Sequence, residues 1–155
     1  MKSQWMVRNK FRSTFLIIFA GSILALFGCS VIGKTVPVED RIRLVSNGIQ
    51  KGEQVVGDVI ITYTYRLAQK TSDLSGLLQI DGNAQMKKQF RAYFLNVWIN
   101  FLDSEGKILE RKSLVRSYGV YREKFQEKLE APAGTAGISF GANVRSSSGY
   151  VPSTI

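Results

Sequence analysis

The feature that most constrains this chain is a period of two in its apolar residues. Val59, Ile61, Tyr63, Tyr65 and Leu67 alternate with Ile60, Thr62, Thr64 and Arg66. A period of two places one set of side chains on a single face of a strand, and the β-branched and aromatic content suits a pleated, half-buried surface. The pattern recurs at Tyr93, Leu95, Val97, Ile99 and Phe101, with Asn96, Trp98 and Asn100 on the other face. It returns at Ile138, Phe140, Ala142 and Val144, between Ser139, Gly141, Asn143 and Arg145. Strand 56–67 is the clearest, 76–80 reads as a shorter strand ended by Asp81-Gly82-Asn83, and Asp103-Ser104-Glu105-Gly106 turns the chain into a strand at 107–115 as a hairpin. Short strands separated by turn signals predict a mainly β fold, an antiparallel β-sandwich of immunoglobulin-like kind spanning 55–146.

Two segments fit a second period. Met86, Phe90 and Phe94 recur every four residues within 84–94, and Phe125 and Leu129 lie four apart within 121–129. Read as amphipathic helices, these would make the domain α+β instead. Ala131-Pro132-Ala133-Gly134-Thr135 then breaks the chain. Segment 129–140 resembles the strand-turn-strand links of bacterial immunoglobulin-like or carbohydrate-binding sandwiches, a resemblance that implies an architecture and no ligand. The tail at 147–155, rich in serine, is expected to be disordered.

The N-terminus has the order of an export signal. Lys2, Arg8, Lys10 and Arg12 precede an apolar run of thirteen residues, 15–27, inside signal-peptide length and short of the roughly 20 residues of a membrane-spanning helix. Its end, Leu26-Phe27-Gly28-Cys29, resembles the lipobox of bacterial lipoproteins, with Phe27 where a smaller residue is usual. The resemblance implies cleavage before Cys29, so that 1–28 is a lipoprotein signal peptide, and acylation of the Cys29 thiol, which attaches the chain to membrane lipids. Two or more acyl chains give stable anchoring, at about 0.8 kcal/mol per buried methylene. Ser30 after the cysteine implies passage to the outer membrane in a Gram-negative cell, on its periplasmic face. The alternative is an uncleaved single-span anchor, since the charge-free stretch 13–33 covers 21 residues. Both place the C-terminal domain outside the cytoplasm, away from nucleic acid. Segment 29–54, with Pro37 and mixed charges at Glu39, Asp40, Arg41 and Arg43, reads as lipidated cysteine and tether, with a short strand at 42–45 already belonging to the domain.

Composition narrows the chemistry. Four of the 21 basic residues lie in the signal and all 12 acidic ones beyond it, leaving a domain of net charge +5. That charge is compatible with anionic headgroups or acidic polysaccharide, but the cations are scattered, as on any soluble surface. The chain has no histidine and one cysteine, which removes histidine triads, histidine metal sites and, once Cys29 is acylated, thiolate chemistry. No phosphate-cradling loop is present, and neither a metal nor a cofactor is expected. The carboxylates sit at turns or between basic residues, so no catalytic residue is assigned and the domain is not expected to be an enzyme. Trp98, opposite the apolar series, is the one candidate for a binding surface, with packing as the competing explanation. The expectation is an envelope lipoprotein whose sandwich binds or assembles with another envelope protein. A carbohydrate-binding lipoprotein is the alternative, one that needs exposed rings at Trp98 and Tyr63.

Overall fold

In the computed structural model, which describes residues 31–69, 76–87, 92–146 and 149–151, the alternating segments form two antiparallel sheets. The strands are β1 (Ile42–Arg43), β2 (Gln50–Val56), β3 (Val59–Gln69), β4 (Gly76–Met86), β5 (Ala92–Leu102), β6 (Ile108–Val120), β7 (Arg122–Ala131), β8 (Gly137–Ser146) and β9 (Gly149–Val151). One sheet runs β1-β8-β5-β6, with β9 also paired to β8, and the other runs β2-β3-β4-β7. The expected antiparallel β-sandwich is therefore the fold.

The core lies where the period-two series of both sheets meet. Val59, Ile61, Tyr63 and Tyr65 of β3 and Leu78, Ile80, Ala84 and Met86 of β4 share one buried cluster with Leu95, Val97, Ile99 and Phe101 of β5 and Ile138, Phe140, Ala142 and Val144 of β8. Tyr63 meets Phe140 across the interlayer with ring centroids 5.0 Å apart. Burial of this kind contributes about 25 cal/mol per Å² of apolar surface and is the main favourable contribution to such a fold. Tyr93, expected in the inward series of β5, is instead 66% exposed at the start of that strand, edge-on to Tyr118.

Turn composition misplaces two boundaries. Asp81-Gly82-Asn83 does not end a strand: it is the middle of β4, in unbroken register with Thr64-Tyr63-Thr62 of β3 and Gln126-Phe125-Lys124 of β7. Gly82 is there because the Phe125 ring and the Thr62 carbonyl crowd the place a Cβ would take. The true turn in this region is Gly57-Asp58, where Gly57 at φ 57° closes the β2-β3 hairpin and separates Val56 from the strand it was expected to open.

Neither alternative helix forms among the described residues. Met86 closes β4 and Phe94 lies within β5, while Phe90 falls outside the described residues. Residues 122–131 are β7, paired along their length with β4, and Phe125 and Leu129 both point into the core. A spacing of four is also two strand periods, so it could not choose between the two structures.

The expected tether is, from Val31 onward, part of the fold. Thr35 bridges to Lys107, and Val36 packs with Leu102 and Ile108 in a small second cluster. A 3-10 turn at Val38–Asp40 leads to β1, which pairs with β8. The Tyr65 hydroxyl then fixes the following backbone, donating to the Arg43 carbonyl at 3.1 Å and accepting from the Val45 N–H at 3.2 Å. In the expected tail, Gly149–Val151 forms β9 on β8.

Candidate functional site

Register assigns the outward residues of the β8-β5-β6 portion to rows. Ser139, Asn100 and Arg111 form one row, Gly141, Trp98 and Ser113 the next, and Asn143, Asn96 and Arg116 the third. The β5-β6 register shifts between Val97 and Trp98, a bulge that buries both Leu114 and Val115 while Ser113 and Arg116 stay on the outer face. None of these positions is acidic. The Glu110 position is opposite Phe101, on the core side of β6.

The centre of the face is an ordered polar network. Arg111 stacks over Trp98, its guanidinium carbon 4.5 Å from the ring centroid. Its Nε donates to Asn100 Oδ1 at 2.8 Å, and Asn100 Nδ2 donates to Ser139 Oγ at 3.0 Å. Among the described residues Asn100 and Ser139 are the buried polar ones, at 4% and 1% exposure, and both sit on the outward side of the sheet. Burial pulls the Arg111 guanidinium below its ordinary pKa, toward the value of a cation with less water around it. In the next row Ser113 Oγ lies 3.4 Å from Asn96 Oδ1. Phe94 and Tyr118 extend the face with paired rings, and Arg145 lies over Phe94.

Trp98 is 9% exposed. Its indole fills the space that any Cβ at Gly141 would take, and Arg111 lies over the ring. Packing therefore accounts for its large apolar surface, but its N–H is left over: Trp98 Nε1 is buried with no hydrogen-bond partner, and so is Asn143 Oδ1 on the neighbouring strand. One is a donor and the other an acceptor. A third buried polar atom without a partner, Asn83 Oδ1, lies on the outer face of the other sheet, where Asn83 lines a shallow depression with Lys51, Thr62, Thr64 and Asp81.

Tyr63 is also 9% exposed, so the two rings on which sugar stacking would depend are both enclosed. Leu26, Phe27, Gly28 and Cys29 lie outside the described residues. Among the described residues no group of three histidine, cysteine, aspartate or glutamate side chains could hold a metal ion, and no helix is long and apolar enough to cross a membrane. Sequence reading singled out Trp98 but not Arg111, Asn100, Ser139 or Asn143. Their alternation was legible; that β8 and β6 flank β5 and bring them together was not.

The fold and this face define a class: a two-sheet antiparallel β-sandwich that presents a polar, acid-free sheet surface built on arginine, asparagine and a packed tryptophan. Compared with known proteins, the chain matches no family model, no curated protein and no solved structure.

Proposed function

We propose that this chain is an envelope lipoprotein, held on a membrane through acylated Cys29, whose β-sandwich is a non-enzymatic binding or assembly module for another envelope protein. The observation that carries the module reading is the outer face of β8-β5-β6. Its Arg111-Asn100-Ser139 network is hydrogen-bonded side chain to side chain and more buried than a merely solvated sheet face requires. Tryptophan and arginine are the residue types enriched at the centres of protein interfaces. The attachment rests on the signal anatomy and on Leu26-Phe27-Gly28-Cys29. Ser30 favours the outer membrane and its periplasmic face.

A carbohydrate-binding role has less support, because Trp98 is buried against Gly141 with Arg111 over its ring and Tyr63 lies in the core. Intact-mass analysis of membrane-extracted protein, beside Cys29→Ser, tests the attachment. The expected species begins at an acylated Cys29, and Cys29→Ser leaves the signal uncleaved. A mature protein that retains unmodified Met1 contradicts lipidation and favours the uncleaved anchor. Gentle crosslinking in envelope extracts tests the module reading, which fails if no specific partner is recovered.

A further inference from the structure

We infer that the outer face of β8-β5-β6 docks an acidic, extended polypeptide segment of a partner protein. This deepens the module reading and rests on it. The first support is charge: Arg111 and Arg116 stand among asparagines and serines, with no carboxylate on the rows they occupy. Arg116 is exposed on this face. An acidic partner meets attraction across the face and no repulsion from it.

The second support is the pair of groups left over in the network. Trp98 Nε1 needs an acceptor and Asn143 Oδ1 needs a donor. Trp98 is nine-tenths buried, and leaving a buried polar group unpaired is costly. One residue of an extended chain turns its N–H and its carbonyl to the same side, and so offers a carbonyl for the indole and an N–H for the asparagine. A phosphate or carboxylate offers acceptors alone and leaves Asn143 facing another lone pair. Lipid headgroups and simple anions therefore satisfy half of the site. Acidic polysaccharide carries hydroxyls and carboxylates together, but sugar rings bind best on an open aromatic face, and Trp98 is buried with Arg111 over its ring.

The probe is poly-L-glutamate, titrated into the membrane-extracted protein in detergent, in which cleavage before Cys29 removes Trp5 and leaves Trp98 as the indole reporter. The expected result is a saturable change in Trp98 emission that weakens as salt is raised. Arg116→Glu should weaken binding by about tenfold or more, the effect of reversing a charge at a complementary surface. Lys124→Glu, the same charge change on the outer face of β7 in the opposite sheet, should leave the affinity within about twofold of the parent because it lies off the docking face. Asn143→Leu should weaken binding severalfold if a peptide N–H seeks its oxygen, and a thermal melt reports whether that variant is folded. Equal losses in Arg116→Glu and Lys124→Glu overturn the inference, since they indicate attraction to net charge alone. So does tighter or unchanged binding by folded Asn143→Leu. Phosphatidylglycerol, against phosphatidylcholine, carried in the detergent micelles, and polygalacturonate serve as competing probes. If either binds with the Arg116 dependence while poly-L-glutamate does not, the face recognises a headgroup or an acidic glycan and the polypeptide assignment is wrong. A specific envelope partner crosslinked through another surface would overturn this inference and leave the module reading intact.

Discussion

The side-chain oxygen of Gln54 accepts the backbone N–H of Phe140 at 3.2 Å, joining β2 to β8 across 86 positions of sequence. Phe140 lies in the interval of β8 that β1 and β9 leave uncovered, because β1 pairs at Gly137 and Ile138 and β9 at Val144 and beyond. The same amide donates to the Asp40 carbonyl at 3.1 Å. One glutamine thus ties both sheets to the segment that leads into β1. Gln54→Leu leaves a part-buried N–H and a carbonyl without partners. It should destabilise the domain by about 1–3 kcal/mol, seen as a lower urea midpoint with unchanged slope. A midpoint equal to that of the parent would mean that water replaces both bonds at no cost.

Gly141 holds Trp98 in place by lacking a side chain. A Cβ at 141 overlaps the indole, so Gly141→Ala must push the ring off the sheet or distort β8. Overpacking of this kind costs about 1–3 kcal/mol, and displacement of the ring should also loosen Arg111 from it. The expected readout is a lower melting temperature together with a red-shifted Trp98 emission. A lower melting temperature with unchanged emission would place the strain in the backbone alone.

The strands of the core were legible because burial on one face leaves a period of two that survives without knowledge of the partners. Leu95, Val97, Ile99 and Phe101 could be placed on one side of β5 from their order alone, and all four are buried there. The central part of β4 was not legible. Asp81-Gly82-Asn83 has turn composition, and the glycine is explained only by Phe125, more than forty positions away, and by the Thr62 carbonyl of the neighbouring strand. Residues 31–54 read as a tether for a related reason. Their anchors, Val36 on Leu102 and Ile108, and the Tyr65 hydroxyl on Arg43 and Val45, are long-range contacts with little apolar surface. The candidate face was half legible: Trp98 announces itself, whereas Arg111, Asn100 and Ser139 become a network only once β6 and β8 flank β5.

The β5-β6 turn depends on Asp103. Its Oδ1 accepts the N–H groups of Glu105 at 2.9 Å and Lys107 at 2.8 Å, while Gly106 takes φ 84°. These bonds hold the hairpin register that sets Asn100 opposite Arg111. Asp103→Ala should cost about 1 kcal/mol, since the freed N–H groups are exposed and water takes part of the loss. Asp103→Asn, which keeps an acceptor oxygen, should recover most of it. Denaturant midpoints of the three proteins decide this, and equal losses in both variants would show that the carboxylate charge matters more than the acceptor.

The Tyr63 hydroxyl is held above its ordinary pKa of 10.0, first by burial and then by the neighbouring Tyr65. Burial disfavours the phenolate, so the folded domain prefers the protonated ring more strongly than the unfolded chain does. The resulting stabilisation is complete below the unfolded pKa of about 10 and is lost as pH rises through the higher folded value. Tyr63→Phe keeps the ring against Phe140 and removes the proton. Between pH 8 and 11.5 the stability of the parent should therefore fall more steeply than that of Tyr63→Phe, with the two curves parallel below about pH 9 and converging or crossing above about pH 10. Denaturant titrations at each pH measure the difference, which cancels the lysine contributions the two proteins share. Curves that stay parallel through the alkaline range would mean that Tyr63 ionises as freely in the folded domain as in the unfolded chain.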